Sequence, residues 1–92
     1  MRKRRDKNQG EIVQGLEGLG WSVLDLADVG GGCPDILVGV ADRVNVLLEI
    51  KNPKADNRRL RDKQRRFFVG WKGPIGKVET LEEAIAVVQG YL

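Results

Sequence analysis

The chain has 92 residues, a formal net charge of +3, one cysteine and no histidine. That length suits one domain with a small core. The lone Cys33 excludes an intramolecular disulfide and a cysteine-rich zinc site, and the missing histidine excludes His-based nucleases, Ser-His hydrolases and most zinc chemistry.

A metal held by such a chain is held by oxygen, which favours Mg²⁺ or Mn²⁺. No apolar run approaches membrane-spanning length, and no apolar stretch follows the basic N-terminus, so a soluble, cytoplasmic protein is expected. The hydrophobic share of 41% is that of a folded chain. Charge is unevenly spread. Arg2, Lys3, Arg4, Arg5 and Lys7 face only Asp6 near the start, and Lys51, Lys54, Arg58, Arg59, Arg61, Lys63, Arg65 and Arg66 face only Asp56 and Asp62 further on. The rest is acidic. A polyanionic partner, nucleic acid above all, fits this asymmetry; a solvated basic helix face is the plainer explanation.

Residues 1–6 read as a basic arm ahead of a single domain. A helix is expected over 7–19, with Ile12, Val13, Leu16 and Leu19 as its buried stripe and Gly20 as its stop. Glu11 lies beside that stripe, and Gly15 and Gly18 would let another backbone approach its face. Residues 21–26 form a first strand. Gly30-Gly31-Gly32 then gives slack, or close approach of a phosphate or metal to the next strand; no Gly-Lys-Ser/Thr follows, so it is not a P-loop. Residues 35–40 and 44–51 are β-prone and flank the turn Ala41-Asp42-Arg43, and Val46-Leu47-Leu48 points to burial on both faces. Pro53 ends the third strand.

A second helix is expected to open at 56–58 and run to Trp71, its stripe made of Leu60, Gln64, Phe67, Phe68 and Trp71, with Gln64 the polar exception. Residues 75–78 form a short strand. Thr80 caps a last helix, with Glu83 completing a capping box and Leu81, Ala84, Ile85, Val88 and Tyr91 facing inward. The order is α-β-β-β-α-β-α.

If the second and third strands form a hairpin centred on Asp42, opposite residues have numbers that sum to 84, and Asp35 faces Glu49. Opposed side chains share a face, with Cβ atoms about 4.5–5.5 Å apart. Two carboxylates so placed repel unless a cation sits between them. Lys51, two residues on, joins that face, while a slip of one residue would separate the acids. This set suits phosphodiester hydrolysis. Asp35 and Glu49, with the Ile50 carbonyl, hold one metal; Lys51 positions water or meets the charge developing on phosphorus. Glu11 could add a third carboxylate, with Glu17 as its competitor, and Gln64 could orient Lys51 or the phosphate. Glu-x-Lys alone is usually a solvated strand face; the combination carries the inference. Cys33, with no base at hand, reads as a packing residue.

The pattern Gly32-Cys33-Pro34-Asp35-Ile36, Leu48-Glu49-Ile50-Lys51 and Leu60-x3-Gln64-x2-Phe67 resembles the PD-(D/E)XK nuclease superfamily, and more closely the small stand-alone form of the VRR-NUC domain found in phages and bacteria. The resemblance covers about residues 9–89, with Cys33 standing where a small aliphatic is usual. It implies a restriction-endonuclease-like α/β core and a Mg²⁺- or Mn²⁺-dependent, structure-selective DNA endonuclease similar to Holliday-junction resolvases. Asp35, Glu49 and Lys51 would be catalytic, with Gln64 and Glu11 accessory, in a homodimer acting on branched DNA. Lys54, Arg58, Arg59, Arg61, Lys63, Arg65 and Arg66 would contact phosphates. A non-catalytic nucleic-acid-binding module of the same fold is the alternative, and a small protein-interaction domain a weaker one.

Overall fold

A computed structural model describes residues 7–54 and 59–92. The elements are α1 (Lys7–Gly18), β1 (Ser22–Asp25), β2 (Ile36–Val40), β3 (Val44–Ile50), α2 (Asp62–Gly70), β4 (Ile75–Val78) and α3 (Leu81–Gly90), in the expected order. The expected arm at residues 1–6 lies outside the described residues. The strands form one mixed sheet, β1-β2-β3-β4, antiparallel except between β3 and β4, and helices flank it. The parallel pair needs a crossover, and α2 lies within it. Among the described residues no helix is long and apolar enough to cross a membrane.

The β2–β3 hairpin sets the register for everything that follows. Ile36 pairs with Leu48, Leu37 with Leu47 and Val40 with Val44, so the numbers do sum to 84. The turn closes through the Arg43 N–H, which donates to the Val40 carbonyl at 2.8 Å. Ala41 and Asp42 take φ of 48° and 61°, the left-handed geometry that tight hairpin turns demand at both central positions. Burial locks the pairing. Ile36, Val38 and Val40 alternate inward, and a slip of one residue would turn all three outward.

The core lies between this sheet and the α1–α3 layer. Ile12 and Leu16 from α1 and Ala84 and Val88 from α3 pack on Ile36, Val38, Val46, Leu48 and Val78. Val46 to Ile50 are all buried, as expected of a central strand covered on both faces. Leu81 presses on α1 at Gly15, where a Cβ would collide with its side chain; it is this side chain and not a backbone that approaches Gly15, and nothing comes close at Gly18. The Thr80 hydroxyl accepts from the Glu83 N–H at 3.1 Å, but the Glu83 carboxylate reaches past the cap to the Glu79 N–H at 2.7 Å. Two stripe residues fall outside the core. Leu19 follows the end of α1 and Tyr91 follows the end of α3, and both are exposed.

The second helix differs most from expectation. It begins at Asp62, after a non-helical stretch over residues 59–61, and the expected start at 56–58 lies outside the described residues. The cause is local. Gln64 sits three residues after the N-cap Arg61, and its Oε1 accepts from the Arg61 N–H at 2.9 Å, which stops the helix there. The α2 helix, described over its whole length, buries none of its residues fully. Leu60, Gln64, Phe67 and Phe68 are half-buried, and Trp71 stays exposed.

Candidate active site

Asp35 lies one residue before β2 and Glu49 one before the end of β3. The register that pairs Ile36 with Leu48 continues to set these two acids opposite each other. One Asp35 oxygen, Oδ2, accepts from the Ile50 N–H at 2.7 Å. In an extended strand a residue's N–H and C=O leave on the same edge, so the Ile50 carbonyl is directed to the Asp35 side. The Lys51 N–H points the other way, to the Val78 carbonyl at 2.9 Å.

Glu49 is 3% exposed, and one of its oxygens is well held. Glu49 Oε2 accepts from Gln64 Nε2 at 2.9 Å and lies 3.4 Å from Lys51 Nζ. Lys51 Nζ in turn donates to Gln64 Oε1 at 2.9 Å. Gln64 thus ties the acid, the amine and the start of α2 into one network. The sequence expectation that Gln64 reaches Lys51 holds, and its bond to Glu49 adds to it. The other oxygen, Glu49 Oε1, is buried with no hydrogen-bond partner among the described residues.

The electrostatics follow from this crowding. Burial and then the neighbouring Asp35 carboxylate push the Glu49 pKa up to about 7, against the pull of Lys51. Asp35 is also raised: burial outweighs the Ile50 N–H and the Lys51 charge. Burial and then the Asp35 and Glu49 charges raise the Cys33 thiol, which keeps it protonated and consistent with a packing role.

A cleft of about 570 Å³ opens beside Asp35 and Cys33, while Glu49 and Lys51 lie behind its lining. The glycine loop, Asp35, Gln64 and three basic residues, Arg61, Lys63 and Arg66, border it. At Gly32, with φ of +83°, a Cβ would strike the backbone of Lys63 and Gln64. The glycine therefore admits the first turn of α2 rather than a ligand, and correct placement of Gln64 depends on it.

The remaining expected site residues are scattered. Glu11 is exposed and lines a separate cleft together with Lys54, so it does not join Asp35 and Glu49. Among the described residues no group of three or more acidic, cysteine or histidine side chains is placed to hold a metal. Arg65 is engaged by Asp62 at 2.7 Å. Arg59 is exposed, and Arg58 lies outside the described residues.

Two α1 residues were missed. Gln9, 7% exposed, borders the same cleft as Asp35 and Gln64. Asn8 Nδ2 donates to the Lys51 carbonyl at 3.0 Å and ties α1 to the end of β3. Two residues along a helix turn through about 200°, so with Gln9 facing the cleft, Glu11 faces away. The signal was present in the sequence: residues 9, 12 and 16 form one helical stripe, with Gln9 its polar member, the same pattern that singled out Gln64.

The fit to a divalent cation is therefore specific but sparse. Two oppositely placed carboxylates, a buried carboxylate oxygen without a partner and a strand carbonyl make an all-oxygen set suited to Mg²⁺ or Mn²⁺. Set against protein-family models, curated proteins and solved structures, the chain matches none.

Proposed function

We propose that this protein is a metal-dependent endonuclease that hydrolyses phosphodiester bonds in DNA, with a restriction-endonuclease-like core of the VRR-NUC type. The observation that carries it is Glu49. A buried carboxylate with one unpartnered oxygen, pressed against Asp35, costs stability unless a cation, or a proton shared with Asp35, compensates it. Asp35, Glu49 and the Ile50 carbonyl would hold the ion, with Lys51 alongside.

A bound Mg²⁺ or Mn²⁺ supplies Lewis acidity toward the scissile phosphate and its attacking water. The protein's own groups do the rest. The Lys51 ammonium, aligned by Gln64, stands ready to meet negative charge developing on the phosphate oxygens. Gln64 holds Glu49 Oε2, which leaves Oε1 for the ion. Asp35 is oriented by the Ile50 N–H. Arg61, Lys63 and Arg66 at the cleft attract the backbone without reading bases, as suits an enzyme that selects DNA by shape. Two copies, one cut on each strand, would suit branched DNA.

The test compares four-way junction, flap and linear duplex DNA with Mg²⁺, Mn²⁺ or EDTA. Metal-dependent cutting is expected, with a fall of at least about 100-fold for Glu49→Gln or Lys51→Ala. Tight DNA binding with no cutting under any condition would favour the non-catalytic module instead. A second readout needs no activity. Millimolar Mg²⁺ or Mn²⁺ should raise the melting temperature, and the rise should vanish in the Asp35→Ala, Glu49→Ala double variant.

A further inference from the structure

The start of α2 and one residue of α1 meet in the cleft beside Asp35, and both bring polar groups that have no partner. Arg61 is the N-cap of α2. A guanidinium carries no acceptor, so its side chain cannot take the N–H groups that a serine or aspartate would take there. Among the described residues the N–H groups of Lys63 and Gln64 find no other acceptor. The helix therefore presents unpaired donors, and the positive end of its dipole, to a cleft that its own first turn borders.

Gln9 supplies the second half. It is 7% exposed and is the one α1 residue in the lining of this cleft. Its amide, unlike that of Asn8 beside it, makes no hydrogen bond among the described residues. The unpartnered side-chain atoms sealed from solvent belong to Asn8 and Glu49, so the Gln9 amide keeps contact with the cleft. A buried amide without partners is costly to keep, and it suits a position where a ligand completes its bonding. The lining is also cationic. Arg61, Lys63 and Arg66 border the cleft, and none of them makes an ion pair among the described residues. Against them stand Asp62, which Arg65 engages at 2.7 Å, and Asp35, whose carboxyl is pushed up by burial. Across from the helix start, a Cβ at Gly30 or Gly31 would meet nothing, so the glycine loop leaves room. Unpaired backbone donors, a buried amide and three cations converge on one volume. A phosphate group, with acceptor oxygens on every side, can use all of them.

We propose that the start of α2 and Gln9 form a seat for a phosphate group of nucleic acid, separate from the phosphate that is cut. Lys51 lies behind the lining of the cleft, so a phosphate seated here is not the one whose developing charge Lys51 meets. Asp35 borders the cleft and belongs to the proposed cation site, which places the two phosphates side by side. Holding a neighbouring phosphate fixes the position of the strand before reaction. The identity of the strand rests on the nuclease reading, but the seat is measurable without metal or cleavage.

The experiment titrates inorganic phosphate into isotope-labelled protein in EDTA, followed by NMR, with chloride holding the ionic strength constant. Saturable shifts are expected in the Lys63 and Gln64 backbone amides and in the Gln9 side-chain amide. Gln9→Met, close in size but without a donor, should weaken phosphate binding about ten-fold or more, and Gln9→Glu should abolish it through like charge. A single-stranded oligonucleotide should displace the phosphate. If a terminally phosphorylated strand competes better than the same strand ending in hydroxyls, the seat takes a strand end; if the two compete equally, it takes an internal phosphate. Shifts scattered over the basic surface, unaltered affinity in both Gln9 variants, or bound phosphate that no strand displaces would overturn the proposal. Its failure is distinct from that of the nuclease reading. Saturable binding with strand competition but no metal-dependent cutting leaves the seat standing alone, and cutting by a protein that shows none of these shifts removes the seat and keeps the nuclease.

Discussion

The two faces of the sheet have been built for different ends. On one, α1 and α3 close over Ile36, Val38, Val46, Leu48 and Val78, all of them buried. On the other, α2 has no fully buried residue and is tied to the sheet by Gln64, which donates to Glu49 and accepts from Lys51. Apolar side chains remain uncovered on α2 and at its end, with Val69 79% and Trp71 47% exposed. The first face supplies the stability, and the second spends some of it on a buried pair of acids. A carboxylate such as Glu49 can be kept half-neutral and short of partners only because the opposite layer is packed well enough to bear the cost.

The largest expected effect separates the faces by stability. Leu16→Ala should cost about 2–5 kcal/mol, enough to unfold much of a domain this small, whereas Phe68→Ala should cost clearly less because its side chain is only half-buried. Chemical denaturation checks this, and equal costs would dissolve the distinction.

Next comes pH. The Glu49 pKa is raised from 4.5 in the unfolded chain to about 7 in the fold, so between these values the folded state binds more protons and stability falls as pH rises. Metal-free protein should therefore lose on the order of 1–3 kcal/mol from pH 4.5 to 8. Glu49→Gln should flatten that slope. A profile that rises through this window would contradict the raised pKa.

Gln9→Ala should lower turnover several-fold with little change in melting temperature, because it alters the cleft rather than the core; steady-state kinetics on a cleavable DNA would read this. The smallest effect belongs to Glu11→Ala. It should leave cleavage unchanged and stability within about 0.5 kcal/mol, as expected of an exposed side chain remote from the site. A large loss of activity in that variant would return Glu11 to the site.

The parts that could be read from the residues alone were those governed by short-range rules. The hairpin register follows from alternation and a three-residue turn, and it carried Asp35 to Glu49 and Lys51 to their side. Gln64 stood out as the polar member of an apolar stripe. The start of α2 did not stand out, because the cap depends on a side chain that also serves the site, and propensity is blind to that second task.

The sequence by itself determined the element order, the hairpin and hence the meeting of the two acids, since neighbours along a strand can face only two ways. Only the tertiary structure decided which α1 residue meets them. A helix may turn freely about its axis until something packs on it; here Leu81 seated at Gly15, and Ile12 and Leu16 buried against the sheet, set that rotation, bringing Gln9 to the cleft and turning Glu11 away.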